Sequence, residues 1–254
     1  MIKLKHIPLI EYHLVNHCNL NCKGCAHFAP LAKPWFADIN EFEKDLNQLS
    51  SKVIIDKLTL FGGEPLLNED IDKFLIVARK ILPNADISVL TNGVLLLKKL
   101  SSLVKTMKDN HIYMDITCYP INVDYELELK MLKTLKIPYR IYNDLERIKT
   151  LRHHCLSHKK ETNDWDCLMI NSNSVQLRNG KLYICPLQAY IDIFNNYFNE
   201  NFKLNNDCYL DIYNCTDKQI VSMYHTKNSF CEYCREPIEG NKYSTSKKEK
   251  KEWM

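Results

Sequence analysis

Two apolar periods alternate along the first 143 residues. Residues 11–17 (E-Y-H-L-V-N-H) alternate loosely and carry β-branched and aromatic side chains, which predicts a strand. Asp38 then reads as a helix N-cap, with Glu41 placed to close a capping box, and Phe42, Leu46 and Leu49 follow at helical spacing. The alternation repeats. Residues 57–61 (K-L-T-L-F) predict a strand, and Ile71, Phe74, Leu75, Ala78 and Leu82 a helix stopped by Pro83. Residues 87–90 (I-S-V-L) predict a third strand, and Leu96, Leu100, Leu103, Val104 and Met107 a third helix. Residues 113–119 (Y-M-D-I-T-C-Y), a helix marked by Leu127, Met131, Leu132 and Leu135, and a strand over 139–142 complete the series. These stripes are core positions, and repeated strand–helix units predict a parallel sheet with right-handed crossovers. A helical stretch over 144–156 is expected to lead into a sixth strand, so the count suits an open partial barrel of six units rather than a closed eight.

The pattern then changes. Residues 174–185 (S-V-Q-L-R-N-G-K-L-Y-I-C) are two alternating strands around Asn179-Gly180, a strong hairpin signal. A helix is expected over 217–225, and the tail after Gly240, with its K-K-E-K-K-E run, is expected to be solvated or disordered. The reading divides the chain into an α/β partial barrel over 1–160, a small hairpin-plus-helix unit over 161–240 and a charged tail over 241–254.

Composition narrows the function. The length of 254 residues can bury a full core, and a net charge of +3 is too small to argue for nucleic acid. No apolar run approaches the ~20 residues of a membrane span, and the first ten residues are too short and interrupted for a secretory signal. Eleven cysteines without an export signal point to a reducing, cytoplasmic setting and to metal chemistry.

Three of those cysteines carry the most specific signal. Cys18, Cys22 and Cys25 stand at C-x3-C-x2-C on the loop after the first predicted strand, where barrels of this kind gather reactive groups. Three thiolates at this spacing can hold three corners of a cubane iron–sulfur cluster and leave the fourth iron open. A zinc site completed by His27 is the alternative.

Two further segments follow at strand ends: Gly62-Gly63-Glu64-Pro65 after the second strand and Thr91-Asn92-Gly93 after the third. Four of the chain's six glycines fall in these three segments, as expected where the backbone must turn left-handed or approach closely. With these motifs in this order the chain resembles the radical S-adenosylmethionine (radical SAM) superfamily. The resemblance implies that Cys18, Cys22 and Cys25 ligate a [4Fe–4S] cluster whose open iron is chelated by the amino and carboxylate groups of SAM. It implies that Gly62, Gly63, Glu64 and Pro65 bind the methionine amino group, largely through backbone oxygens, and that Thr91 and Asn92 meet the ribose. One electron then cleaves SAM to methionine and a 5′-deoxyadenosyl radical, which abstracts a substrate hydrogen. Many members carry an aromatic residue before the last cysteine to contact adenine. Here Gly24 stands there, and Phe28 is the expected substitute.

A second cysteine set frames the hairpin. Cys167 precedes it, Cys185 ends it, and Cys231 and Cys234 form a later C-x2-C. This layout resembles the twitch domain, a short relative of the SPASM domain, which implies an auxiliary [4Fe–4S] cluster on these four residues. A structural zinc is the alternative. Over nearly all of residues 10–235 the size and layout resemble radical SAM dehydrogenases of aminocyclitol antibiotic synthesis. That implies oxidation or other modification of a small alcohol or amino-sugar-like metabolite, with flavodoxin or ferredoxin as one-electron donor. A peptide-modifying or epimerising radical SAM enzyme is the rival reading, although no leader-binding domain of about 80–100 residues fits ahead of Cys18. A non-enzymatic metal-binding or electron-transfer module is the rival from another class.

Asp115 and Thr117 share one face of the fourth strand, which makes Asp115 a candidate to touch substrate or SAM, a structural aspartate being the alternative. Cys118, at that strand's end, is a candidate hydrogen-atom donor; Cys155, Cys208 and Cys215 are further thiols that read equally as small buried hydrophobes. His153, His154 and His158 form a titratable group beside Cys155, either solvated or a source of a base.

Overall fold

The alternating periods fold into β1 (Leu9–Val15), β2 (Lys57–Gly62), β3 (Asp86–Thr91), β4 (Ile112–Ile116) and β5 (Tyr139–Ile141), laid side by side in chain order with every neighbouring pair parallel. The computed structural model describes residues 5–142, 151–153, 155–160, 165, 167–236 and 238–254. Helices α1 (Ile39–Ser50), α2 (Ile71–Ile81), α3 (Leu96–Asp109) and α4 (Tyr125–Thr134) form the crossovers. Asp38 caps α1 as expected, its carboxylate accepting the backbone N–H groups of Asn40 and Glu41 at 2.8 and 3.0 Å. The predicted stripes of α1 to α3 are buried, except that Val104 on α3 is half-buried. On α4 the stripe is different: Glu128 and Leu132 face inward, while Leu127 and Met131 are exposed.

The sixth parallel strand comes from an unexpected place. Residues 143–150 lie outside the described residues, and the end of the expected 144–156 helix is instead a short strand, Leu151–His153, paired with Ile238–Asn241 in a separate two-stranded sheet. The place beside β1 is taken by β6 (Ser174–Arg178), the first strand of the predicted hairpin, which docks parallel with Leu9 opposite Ser174 and Tyr12 opposite Leu177. β7 (Lys181–Tyr183) returns antiparallel through Asn179 and Gly180, both left-handed (φ 51° and 68°), as a two-residue hairpin turn demands. With β8 (Leu210–Asp211) the sheet has eight strands in the order β8-β7-β6-β1-β2-β3-β4-β5. The hairpin therefore extends the barrel sheet. Then come α5 (Pro186–Ala189), α6 (Ile191–Phe198) and α7 (Asp217–Ser222), the last shorter than expected and opened by a Thr216–Gln219 capping box.

One core lies between the sheet and α1 to α4; a second joins Phe28, Tyr183, Tyr190, Phe194, Phe230 and Trp253. Trp253 corrects the expectation of a solvated tail. It is fully buried, and the charged run around it forms a 3-10 turn, Lys250–Glu252. Among the described residues no helix is long and apolar enough to cross a membrane.

Glu128 is 2% exposed, and its Oε2 has no hydrogen-bond partner among the described residues. Burial first, then the neighbouring Asp124 and Glu64 carboxylates, push its acid up to about 7. An acid raised on folding stabilises the fold below its unfolded value near 4.5, and that contribution is lost as pH climbs through about 7. Glu128→Gln is therefore expected to gain on the order of 2 kcal/mol over the parent at pH 8 relative to pH 4.5. Urea unfolding at the two pH values measures this, and a pH-independent difference would contradict it.

Candidate active site

β1 ends at Val15, and the chain turns through Asn16 and His17 into the cysteine loop. Cys18, Cys22 and Cys25 line one cleft of about 260 Å3 together with Gly62, Gly63, Thr91 and Asn92. The cleft opens at the C-terminal ends of β1 to β4, where successive strands deliver the three motifs. The Cys18 sulfur accepts the Leu20 N–H at 3.3 Å and lies 3.7 Å from the Asn92 side-chain amide. Backbone groups of Ala29, His27 and Phe28 lie close enough to the Cys25 sulfur to favour its thiolate. Burial nevertheless pushes all three thiols up, Cys22 to about 12. Thiolates here require a bound cation, and metal loading would release protons. Among the described residues no three His, Cys, Asp or Glu side chains are gathered as ligands of one ion. A cubane asks for something else: each thiolate binds a different iron. Three neighbouring sulfurs, partly supplied with N–H donors, fit that group.

Gly24, between Cys22 and Cys25, is left-handed at φ 65°. That backbone region favours glycine over a side chain with a Cβ. The second motif is pressed against the cysteine loop. Gly63 donates its N–H to the Val15 carbonyl at 2.8 Å and Glu64 to the His17 carbonyl at 3.2 Å; a Cβ on Gly63 would stand 2.0 Å from the His17 oxygen. The Glu64 carboxylate is fully buried and turned away from the cleft. It accepts the Thr91 hydroxyl at 2.7 Å, the Leu66 N–H at 3.0 Å and the Asn92 N–H at 3.0 Å. Glu64 thus ties the second motif to the third. Pro65 starts a buried turn, Pro65–Leu67, and neither residue lines the cleft. Asn92 also donates to the Asn19 side chain at 2.7 Å, tying the third motif to the cysteine loop.

Several expected residues are elsewhere. Phe28 is fully buried in the second core, its ring 5.3 Å from Phe194, and does not line the cleft, so it does not supply the adenine contact. Its left-handed backbone (φ 53°) turns it inward as the loop enters the turn Ala29–Leu31. Asp115 is fully buried among cations: Arg140 donates to it at 2.6 and 3.1 Å and Lys57 at 3.2 Å. Lys57 and Asp86, which also pairs with Arg140, begin β2 and β3, at the end of the sheet away from the cysteines. Asp115 is therefore a structural ion-pair centre, not a substrate contact. Cys118 is buried in the first core; its neighbours Thr117 and Tyr119 line the cleft instead. Cys155, Cys208 and Cys215 are buried and line no part of that cleft. His158 pairs with Glu200 on the surface at 2.5 Å, and His154 lies outside the described residues.

Cys185 and Cys231 are buried in the second core, with Cys167 and Cys234 packed against it. Mutual electrostatic reach links Cys234 to Cys185, Cys231 and Cys167, and burial pushes the Cys185 thiol up to about 12. Met169, two residues after Cys167, lines the main cleft and joins the two cysteine neighbourhoods.

Sequence reasoning missed a histidine pair. His27 lines the cleft and bonds through Nδ1 to His13 Nε2 at 3.0 Å; His13 Nδ1 faces the Asn16 side-chain oxygen at 3.2 Å and stacks on Tyr190 at 3.8 Å. Burial holds both rings neutral, His27 near 4. The amide oxygen only accepts, so His13 carries its proton on Nδ1 and His27 donates from Nδ1, leaving His27 Nε2 a bare acceptor. A lone histidine on an apolar strand gives no hint of its partner fourteen residues away. Tyr243 was missed because it lies in the charged tail.

A model of the Radical SAM superfamily matches residues 12–150. A GTP 3′,8-cyclase of Clostridium acetobutylicum is 28% identical over 164 residues, 56% of this chain and 51% of that protein. One from Aquifex aeolicus is 32% identical over 106 residues, 38% and 31% of the two chains. The matches span about half or less of these relatives' length. A crystal structure of BtrN in complex with AdoMet and 2-DOIA superposes with a TM-score of 0.59 at 18% identity, covering 92% of this chain and 94% of that one, a likeness of fold.

Gly63→Ala is expected to cost ~3 kcal/mol, because the clash is with backbone and cannot relax by side-chain motion, and to lose iron at the cysteine loop. Thermal unfolding and iron analysis after anaerobic reconstitution check both. Parent-like stability with parent-like iron would contradict the packing described.

Proposed function

This chain belongs to the radical SAM superfamily, and on that premise we propose that it cleaves SAM reductively and abstracts a hydrogen from a small alcohol or amino-sugar-like metabolite, ending in its oxidation. The carrying observation is the single cleft that Cys18, Cys22 and Cys25 share with the Gly62-Gly63 and Thr91-Asn92 turns. When bound, the cluster supplies the electron that splits SAM to methionine and a 5′-deoxyadenosyl radical. The chain's own part is placement. The cysteine loop would hold three iron corners, and the Gly62-Gly63 backbone on the cleft wall would take the methionine end of SAM. The Thr91-Asn92 turn, fixed by Glu64, would meet the ribose. His27 presents an acceptor from the cleft wall.

The substrate class is argued from the size of the cleft. A volume of about 260 Å3 lies just below the range of small-molecule sites, ~300–1,000 Å3, and SAM draws on the same space. What remains suits a compact substrate better than a peptide. Oxidation is favoured over epimerisation because none of Cys118, Cys155, Cys208 and Cys215 lines the cleft to return a hydrogen atom. We assign Cys167, Cys185, Cys231 and Cys234, in the 161–240 unit, to an auxiliary [4Fe–4S] cluster that takes the second electron or orients substrate, and flavodoxin or ferredoxin to electron supply.

Anaerobic incubation with SAM and dithionite is expected to yield 5′-deoxyadenosine. Cys22→Ala should abolish it, while Cys231→Ala should keep SAM cleavage and lose part of the iron. Cleavage that survives Cys22→Ala, or no cleavage by the reconstituted parent with or without candidate substrates, would defeat the assignment. For a turned-over substrate, reaction in deuterated water is expected to leave no solvent deuterium on carbon; its appearance there would favour epimerisation.

A further inference from the structure

The segment 243–254 closes on the cysteine loop from outside the barrel. Lys23 donates its N–H to the Ser244 carbonyl at 2.9 Å, and Ser246 donates to the Asn21 carbonyl at 2.6 Å, with Cys22 and Thr245 forming an antiparallel bridge between them. The Trp253 indole N–H donates to the Cys25 carbonyl at 3.0 Å, and its ring is fully buried near Phe28, Phe194 and Phe198. These bonds bracket Cys22 and set the Tyr243 hydroxyl 4.0 Å from the Cys22 sulfur, the ring 5.4 Å from that of Tyr119 on the cleft wall. The motif reading does not use Tyr243, and the charge pattern around it suggested a solvated tail.

A thiol at Cys22 can donate to the tyrosine oxygen. A thiolate holding iron has no proton to give, so the roles reverse and the hydroxyl becomes the donor. Hydrogen bonds to ligand sulfurs tune cluster potential, because the added electron increases negative charge on the cluster and a donor stabilises the reduced form more. No proton or heavy atom is transferred. The cluster gains one electron from the external donor in either case, and only the ease of that step changes.

We propose that residues 243–254 are a clasp over the cysteine loop, and that Tyr243 is a positioning residue whose hydroxyl hydrogen-bonds the Cys22 thiolate of the loaded cluster and raises its reduction potential. The proposal rests on the radical SAM reading above. It extends that reading to a segment outside the 12–150 family match and assigns a role to a residue that touches the ligand sulfur rather than substrate.

The test is spectroelectrochemistry of the reconstituted full chain, compared with Tyr243→Phe. Loss of the hydroxyl is expected to lower the midpoint of the loop cluster, with about tenfold less reduced cluster at a fixed poise, about 59 mV for a one-electron couple. An exchangeable-proton coupling of the reduced cluster should vanish with it. Tyr243→3,5-difluorotyrosine keeps the ring and strengthens the donor, so it is expected to move the midpoint the other way; it serves also if the phenylalanine variant fails to load. A midpoint unchanged in a loaded variant overturns the proposal. Failure of the radical SAM reading looks different: the parent itself would form no 5′-deoxyadenosine.

Discussion

Three sulfurs must become anionic inside a cleft that disfavours charge, and much of the architecture answers that constraint. Burial raises each thiol, and the few N–H groups aimed at Cys18 and Cys25 offset it only in part. Iron completes the balance. For a cluster to sit there with one iron open, the loop must hold its shape without a fourth ligand. Support comes from three sides: the Gly62-Gly63 backbone pressed on residues 15–18, the Asn92–Asn19 bond, and the strand-like contact of residues 244–246 with 21–23.

Glu64 is the hub of this support. The resemblance assigns its backbone to the cofactor, and its carboxylate reaches into the protein, binding the Thr91 hydroxyl and the Asn92 amide. On the proposed reading SAM would meet backbone, held in place by a buried acid that burial itself pushes up to about 7.

The barrel half of the fold was legible because its signals are local. Capping by Asp38, the stop at Pro83 and the apolar stripes of α1 to α3 require no knowledge of partners, and cysteine spacing with strand-end glycines identified three walls of the cleft. What was not legible depends on pairing across distance. Alternation in residues 174–178 says strand, but not that the strand would dock parallel on β1 and supply the sixth position. Period two put Asp115 and Thr117 on one face, but could not show that Arg140 and Lys57 would enclose the aspartate in a buried ion-pair cluster. Phe28 was assigned from chain proximity to Cys25, and a single left-handed residue turned it into the second core. The charged run after Gly240 concealed one tryptophan, and burying that ring decides where the whole segment lies.

The account's central claim is that the loop cluster keeps one iron for SAM. Electron–nuclear double resonance on the anaerobically reduced protein, with SAM carrying a 15N-labelled methionine amine, tests it most directly. A 15N coupling that appears with labelled SAM and requires Cys18, Cys22 and Cys25 is the result expected. A cluster signal indifferent to SAM, or a colourless divalent ion at those cysteines, would contradict it.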